Sequence, residues 1–132
     1  MNLHSFLRKM KVLIIDDNES ITEVVKDFFE VENIECKTIN DSQAGLAEIN
    51  NNEYDLILLD IAMPNFTGLD ILHELKRQKI ENKNIIIFTA SVFKSELINE
   101  FLEVGVKEVL SKPISIEKMD QIRLKYLKSE GP

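Results

Sequence analysis

The chain has 132 residues, of which 44% are hydrophobic, enough for one domain with an apolar core and too few for two domains of ordinary size. Its formal net charge of -7 argues against direct nucleic-acid binding, which needs clustered Lys and Arg. A single cysteine excludes an internal disulfide, and no apolar run approaches the roughly 20 residues of a membrane span. We therefore expect a cytoplasmic protein that does not enter a membrane.

The first ten residues precede the first predicted strand, and we assign residues 1–10 to an N-terminal extension. Leu3, Phe6 and Leu7 have helical spacing there, but the segment is too short to be stable alone. We assign residues 11–128 to one folded domain and residues 129–132 to a polar tail.

The first predicted strand, Lys11–Ile15, is apolar after its first residue, which is typical of a strand buried on both faces of a sheet. It ends on two adjacent acids, Asp16 and Asp17. Acids at this position often cap the following helix, but one cap requires only one acid. Capping alone therefore leaves the second acid unexplained.

A helix is predicted over about Glu19–Val31, where Ser20 and Glu23 have the spacing of a capping box. Its predicted inward stripe is Ile21, Val24, Val25, Phe28 and Phe29.

The next pair combines an edge strand with a weaker helix. Ile34–Ile39 alternates apolar and polar residues, which indicates a partly exposed strand with Cys36 packed inward. Asp41 then caps a helix that runs to about Asn50. Its predicted inward residues are Ala44, Leu46, Ala47 and Ile49.

The third strand, Leu56–Asp60, reads Leu-Ile-Leu-Leu-Asp and delivers a carboxylate where the buried run ends. A loop must follow, since Pro64 interrupts regular structure and Gly68 supplies a turn position before the next helix. In an open parallel sheet this end of the strands binds ligands. Taken alone, Asp60 is explained most simply as a residue that only turns the chain.

The second half repeats the pattern. Helices are predicted over Leu69–Arg77, Lys94–Val104 and Ile116–Leu127, and strands over Asn84–Thr89 and Val106–Leu110. Gly105 stops the second of these helices, and His73 lies on the surface of the first. The predicted inward residues are Leu69, Leu72, Leu75, Leu97, Ile98, Phe101, Leu102, Ile116, Met119, Ile122 and Tyr126.

Five strand–helix pairs predict an α/β fold: a doubly wound, five-stranded parallel sheet in a three-layer (βα)5 sandwich. The carboxyl ends of parallel strands meet at one edge of the sheet, where we expect a shared site. The side chains delivered there are Asp16, Asp17, Asp60, Thr89 and Lys112.

Crowding of these charges points to chemistry. Two carboxylates about 4 Å apart repel by roughly 4 kcal/mol at an effective dielectric near 20, so three of them need a cation or a proton. Oxygen ligands favour Mg²⁺, with Mn²⁺ as an alternative, over Zn²⁺. Lys112 and the Thr89 hydroxyl could bind phosphoryl oxygens, with Asp60 as a nucleophile that forms an acyl phosphate.

This set of residues resembles the receiver domains of two-component response regulators, over essentially Lys11 to Leu127. The resemblance rests on Asp16-Asp17, on Asp60 with its Met63-Pro64 and Gly68 loop, on Thr89-Ala90 and on Lys112-Pro113. It implies a flavodoxin-like receiver fold over residues 11–128 and a cis Lys112–Pro113 bond.

The resemblance also implies the roles of the site residues. Asp60 would accept a phosphoryl group from a histidine kinase or phosphotransfer protein, and Thr89 and Lys112 would contact that group. Asp16, Asp17, Asp60 and the carbonyl of Ala62 would bind Mg²⁺. The chain ends just after the fifth predicted helix, so we expect no effector domain in it, and two alternatives stay open: a stand-alone receiver that acts by binding a partner, or a piece of a larger regulator.

One position departs from the family pattern. Three residues before the lysine the family often has Tyr or Phe, and this chain has Val109. A branched aliphatic side chain cannot swing a ring between buried and exposed positions. We therefore expect the signal to reach an output partner through residues 90–93 and the face formed by helix 4, strand 5 and helix 5.

Three alternatives compete with this interpretation, and charge and spacing disfavour the first two. A small aspartate-dependent phosphatase or phosphotransferase would need a second acid two residues after the nucleophile, where Ala62 stands. A flavodoxin-like binding module would need a phosphate loop after the first strand, where the chain has acids. The third is a receiver-like module that acts by binding alone.

Overall fold

The computed structural model describes residues 9–80, 83–90, 95–103 and 105–127. Five strands alternate with five helices: β1 Lys11–Ile15, α1 Glu19–Val31, β2 Glu35–Ile39, α2 Ser42–Asn51, β3 Leu56–Asp60, α3 Gly68–Arg77, β4 Ile85–Thr89, α4 Ser95–Glu103, β5 Val106–Ser111 and α5 Ile116–Tyr126. The strands form one parallel sheet in the order β2-β1-β3-β4-β5. This confirms the predicted doubly wound fold.

Helices cover both faces of the sheet because successive strand residues point to opposite sides. On one face the strands pack against α2, α3 and α4 through Ile49, Ile71, Leu72, Leu75 and Phe101. On the other they pack against α1 and α5 through Val25, Phe29, Met119 and Ile122. All five residues of β3 are buried, so the central strand lies in the middle of three layers.

Strand β2 lies at the edge of the sheet, as predicted, and pairs only with β1 among the described strands. Cys36 is buried there, and this burial raises the pKa of its thiol to about 12. The residue therefore acts as a small packing group, also as predicted.

Several predicted inward positions are wrong. Val24, Ala44, Ala47, Leu102 and Ile116 are exposed instead. On α1, α2, α4 and α5 the buried stripe is narrower than the apolar residues suggest, whereas on α3 the predicted residues do lie inward. Small residues take part of the buried stripe on two helices, namely Thr22 on α1 and Ser42 and Gly45 on α2. The predicted packing of Leu97 lies outside the described side chains.

Two helix starts differ from the prediction. The Asn18 side chain caps α1 by accepting hydrogen bonds from the backbone N–H groups of Ser20 and Ile21, so the predicted capping box is wrong. A capping box does occur at α3, where Thr67 and Asp70 bond reciprocally. Asp41 caps α2 as predicted.

Both chain ends lie largely outside the described residues, which exclude 1–8 and 128–132. The assignments of an N-terminal extension and a polar tail therefore stay predictions. Met10 leads into β1 and packs beside α1 and α5, and its carbonyl accepts the Glu35 N–H at 2.9 Å. In the described ranges no helix combines the length and the hydrophobicity needed to cross a membrane.

Candidate functional site

The strand order brings the predicted site residues to one edge of the sheet. β3 lies between β1 and β4, so Asp60 has the acids of β1 on one side and Thr89 of β4 on the other. β5 lies beyond β4, and the Lys112 N–H donates to the Thr89 carbonyl at 2.8 Å. The carboxyl ends of four adjacent strands therefore build a single site.

The three acids converge as predicted. Asp16, Asp17 and Asp60 each place a carboxylate oxygen within 4.8 Å of the others. Asp16 is fully buried and Asp60 is 3% exposed, whereas Asp17 is exposed at the mouth of the site. Carboxylates that are crowded and partly dehydrated in this way need a cation beside them.

Backbone N–H groups orient the two buried carboxylates. Asp16 Oδ1 accepts the Asn18 N–H at 2.9 Å, and Asp60 Oδ1 accepts the Ala62 N–H at 3.1 Å. Each acid therefore keeps a fixed orientation toward the shared centre, because both bonds close tight local turns.

Lys112 supplies a positive charge inside the cluster. Its Nζ lies 2.7 Å from Asp16 Oδ2, 3.3 Å from Asp60 Oδ2 and 5.0 Å from the centroid of the buried Phe88 ring. Partial burial disfavours the ammonium form, but the two carboxylates outweigh this and raise the pKa of Lys112 above its ordinary value. In the part of the chain that the structure describes, Lys112 is the one cation paired with this cluster of three carboxylates, so the charge balance and the all-oxygen donors fit a divalent cation.

Gly68 lets the loop after β3 fold against Asp60. A Cβ atom at this position would lie 2.4 Å from the Asp60 carbonyl oxygen and 2.7 Å from the Ile61 Cα. The prediction placed Gly68 at a turn before the helix, but Gly68 is the first residue of α3. Glycine is needed there because the backbone approaches closely, and not because the φ angle is positive.

The Lys112–Pro113 bond is cis, as the resemblance implied. Val109 is half-buried and lies on the face of the sheet that packs against α2, α3 and α4. Of the predicted signalling loop, residues 91–93 lie outside the described residues.

Sequence reasoning missed three residues that touch the site. Asn18 caps α1 and orients Asp16, and Phe88 lies under Lys112. Asn40 donates from Nδ2 to the Asp16 carbonyl at 2.8 Å. A signal for Asn40 was present, because it directly follows β2 just as Asp16 directly follows β1.

A family model described as the response regulator receiver domain matches residues 12–123. Among curated proteins, the probable C4-dicarboxylate response regulator DctR of Bacillus subtilis is 33% identical over 121 residues, which cover 90% of this chain and 53% of that protein. The aerobic respiration control sensor protein ArcB of Escherichia coli is 34% identical, over 91% of this chain and 15% of that protein. The chain thus spans about half of the first relative and a small part of the second.

Solved structures agree in fold. The receiver domain of Francisella response regulator 1452 is 33% identical with a TM-score of 0.78, over 90% of this chain and 98% of that one. A CheY-like receiver domain protein from Methanospirillum hungatei is 25% identical with a TM-score of 0.81, over 93% of this chain and 98% of that one.

Proposed function

The chain belongs to the response regulator receiver domain family of two-component signalling, and we propose that Asp60 accepts its phosphoryl group. The donor would be a histidine kinase or a phosphotransfer protein, and the reaction would require Mg²⁺, with Mn²⁺ as a substitute. A cytoplasmic location stays a prediction.

One observation carries this proposal: Asp16, Asp17 and Asp60 each place a carboxylate oxygen within 4.8 Å of the others, and the Lys112 ammonium pairs with two of them, Asp16 and Asp60. Asp60 is the best acceptor among the three because it ends the central strand. It lies between the acids of β1 on one side and Thr89 and Lys112 on the other. A phosphoryl group on Asp60 would therefore have carboxylates on one flank and a hydroxyl and an ammonium on the other.

Receiver domains typically use a divalent metal, and this cluster has the ligands to hold one. We propose that Asp16, Asp17, Asp60 and the Ala62 carbonyl bind it. When bound, the ion would offset the excess negative charge and polarise a phosphoryl oxygen.

The chain's own groups have distinct parts in the transfer. An Asp60 carboxylate oxygen attacks phosphorus, the bond from phosphorus to the donor breaks, and its electron pair leaves with the donor. Lys112, held as a cation beside Asp16 and Asp60, balances negative charge on the transferring group. Thr89, 1% exposed at the end of β4, offers its hydroxyl to a phosphoryl oxygen.

Incubation with acetyl phosphate and Mg²⁺ tests this assignment by intact mass. We expect the native chain to gain one phosphoryl group that hydroxylamine removes, and Asp60→Asn and an EDTA-treated native sample to gain none. Asp55→Asn, at the opposite end of β3, is the matched control and should be modified normally. Equal modification of Asp60→Asn and the native chain would refute the acceptor assignment.

We further propose that the output partner binds the face formed by α4, β5 and α5. On that face Glu108 accepts a hydrogen bond from the Tyr126 hydroxyl at 2.6 Å and pairs with Lys118 and Lys125. Val109 offers no aromatic ring to report phosphorylation. Amide chemical shifts recorded on the phosphorylated sample should change on this face, and shifts that spare it entirely would contradict the proposal.

A further inference from the structure

Asp17 differs from the other two acids in how it is held. Lys112 and backbone N–H groups hold the carboxylates of Asp16 and Asp60. The Asp17 carboxylate forms no hydrogen bond or ion pair with another described residue. Its position therefore depends on the backbone that carries it, above all on the planar peptide that joins it to Asp16.

Two residues that follow each other at the end of β2 clamp that backbone. The Ile39 carbonyl accepts the Asp16 N–H at 3.0 Å, which is the last bond between β1 and β2. Beyond it the Asp16 carbonyl has no neighbouring strand to bond, and the Asn40 side chain donates to it from Nδ2 at 2.8 Å. Both polar groups of the Asp16 backbone are therefore satisfied, the N–H by Ile39 at the end of β2 and the carbonyl by Asn40, the next residue.

The same amide nitrogen also reaches α1. Asn40 Nδ2 lies 3.2 Å from Thr22 Oγ1, and the Thr22 hydroxyl donates to the Glu19 carbonyl at 3.1 Å. Because the Thr22 hydroxyl proton is already donated to Glu19, the Thr22 oxygen must accept a hydrogen bond from Asn40. The Asn40 side-chain nitrogen is therefore the donor to both Thr22 and the Asp16 carbonyl. Thr22 is 2% exposed and thus gives Asn40 a rigid support.

We infer that Asn40 is a positioning residue for the metal site: it holds the Asp16–Asp17 peptide so that the Asp17 carboxylate points at the shared centre. Asn40 and Asp17 line the same groove, which agrees with this role. The inference rests on the proposed function, since it assumes that Asp17 binds the divalent ion. Groups that orient metal ligands typically change affinity by 10- to 100-fold when lost.

Mg²⁺ titration of the full chain by calorimetry tests the inference with Asn40→Ala. We expect the dissociation constant for Mg²⁺ to rise about tenfold. The matched control is Asn84→Ala, because Asn84 Nδ2 also donates to a backbone carbonyl, that of Asp55 at 3.1 Å, at the opposite end of the sheet. This control should lose similar stability in urea and keep the native Mg²⁺ affinity.

Thr22→Val provides a second variant that keeps the Asn40–Asp16 bond and removes only its support. We expect its dissociation constant to rise less, by about threefold. Native affinity in both Asn40→Ala and Thr22→Val, or an equal loss in Asn84→Ala, would overturn the inference. Asp17→Asn distinguishes failure of the proposed metal site from failure of the Asn40 inference. If this variant binds Mg²⁺ as tightly as the native chain, the proposed metal site itself is wrong.

Discussion

The two ends of the sheet differ in how their charged side chains are paired. At the amino end acids and bases occur in one-to-one pairs with at least one exposed partner: Lys11 Nζ lies 3.8 Å from Glu35, both exposed, and the half-buried Lys83 Nζ lies 3.5 Å from the exposed Glu53. At the carboxyl end three carboxylates converge, two of them buried, and within the described ranges Lys112 is the one cation paired with them, through Asp16 and Asp60.

This difference separates structural charges from functional ones. Exposed one-to-one pairs contribute at most about 1 kcal/mol each and bring solubility more than stability. An excess of buried carboxylates lowers the stability of the fold unless a cation binds beside them. The stability of the fold therefore does not explain this excess. The carboxyl end therefore has the composition of a binding site, and the amino end has that of an ordinary protein surface.

The variant with the largest expected effect tests whether the Lys112 ammonium, at the carboxyl end, contributes more to the phosphorylation rate than a lysine at the amino end. Lys112→Met keeps the bulk of the side chain and removes the charge beside Asp16 and Asp60. We expect phosphorylation by acetyl phosphate to slow by about 10²–10³-fold, as when one preorganised stabilising group is lost. The rate is read from intact mass over time at saturating Mg²⁺.

Lys83→Met is the amino-end counterpart: Lys83 is buried to the same extent as Lys112, but it pairs with the exposed Glu53 at the opposite end of the sheet, so the rate should stay within about twofold. Equal slowing in both variants would mean that the overall charge of the chain, and not the Lys112 contact, controls the reaction.

A second test compares how tightly the two ends are packed. Gly68→Ala would place a methyl group 2.4 Å from the Asp60 carbonyl oxygen, and we expect a loss of about 3 kcal/mol in the free energy of unfolding. Gly105→Ala, just before β5 at the amino end, meets open space at a φ of 99° and should cost only about 1–2 kcal/mol. Urea unfolding measures both, and equal losses would contradict the difference in packing.

The smallest effect concerns a carboxylate near the amino end. The Tyr54 hydroxyl donates to Glu48, and this hydrogen bond is the main cause that lowers the pKa of Glu48. Because the pKa of Glu48 is lower in the folded state than in the unfolded chain, where it is about 4.3, ionised Glu48 stabilises the fold at pH values above about 4.3. This stabilisation is lost as the pH falls through the pKa of Glu48 in the folded state.

Tyr54→Phe should therefore cost about 1 kcal/mol in the free energy of unfolding at pH 7 and progressively less below about pH 4. Urea unfolding at pH 7 and pH 3.5 measures the change, and phosphorylation at pH 7 should stay normal. A destabilisation that is the same at both pH values would show that Glu48 ionisation has no part in it.

Strands were easier to predict than helix faces, for a physical reason. A buried parallel strand is apolar on both sides, so runs such as Leu56–Leu59 are unambiguous. On a helix only the residues nearest the sheet are buried, and apolar content does not show which these are. Val24 is therefore 60% exposed, although it fits the predicted stripe, and polar Thr22 takes the inner position.

The sequence by itself determined the order of the elements, the α/β fold and the polar residues at the ends of β1, β3, β4 and β5. These features are local, because each follows from a short run of neighbouring side chains. Only the tertiary structure decided the strand order that places Asp60 between Asp16 and Lys112, and the part of Asn40 in holding Asp16. Local patterns bring these residues to one edge of the sheet, but the contacts between residues 24 or more positions apart depend on which strands become neighbours, and that arises from packing.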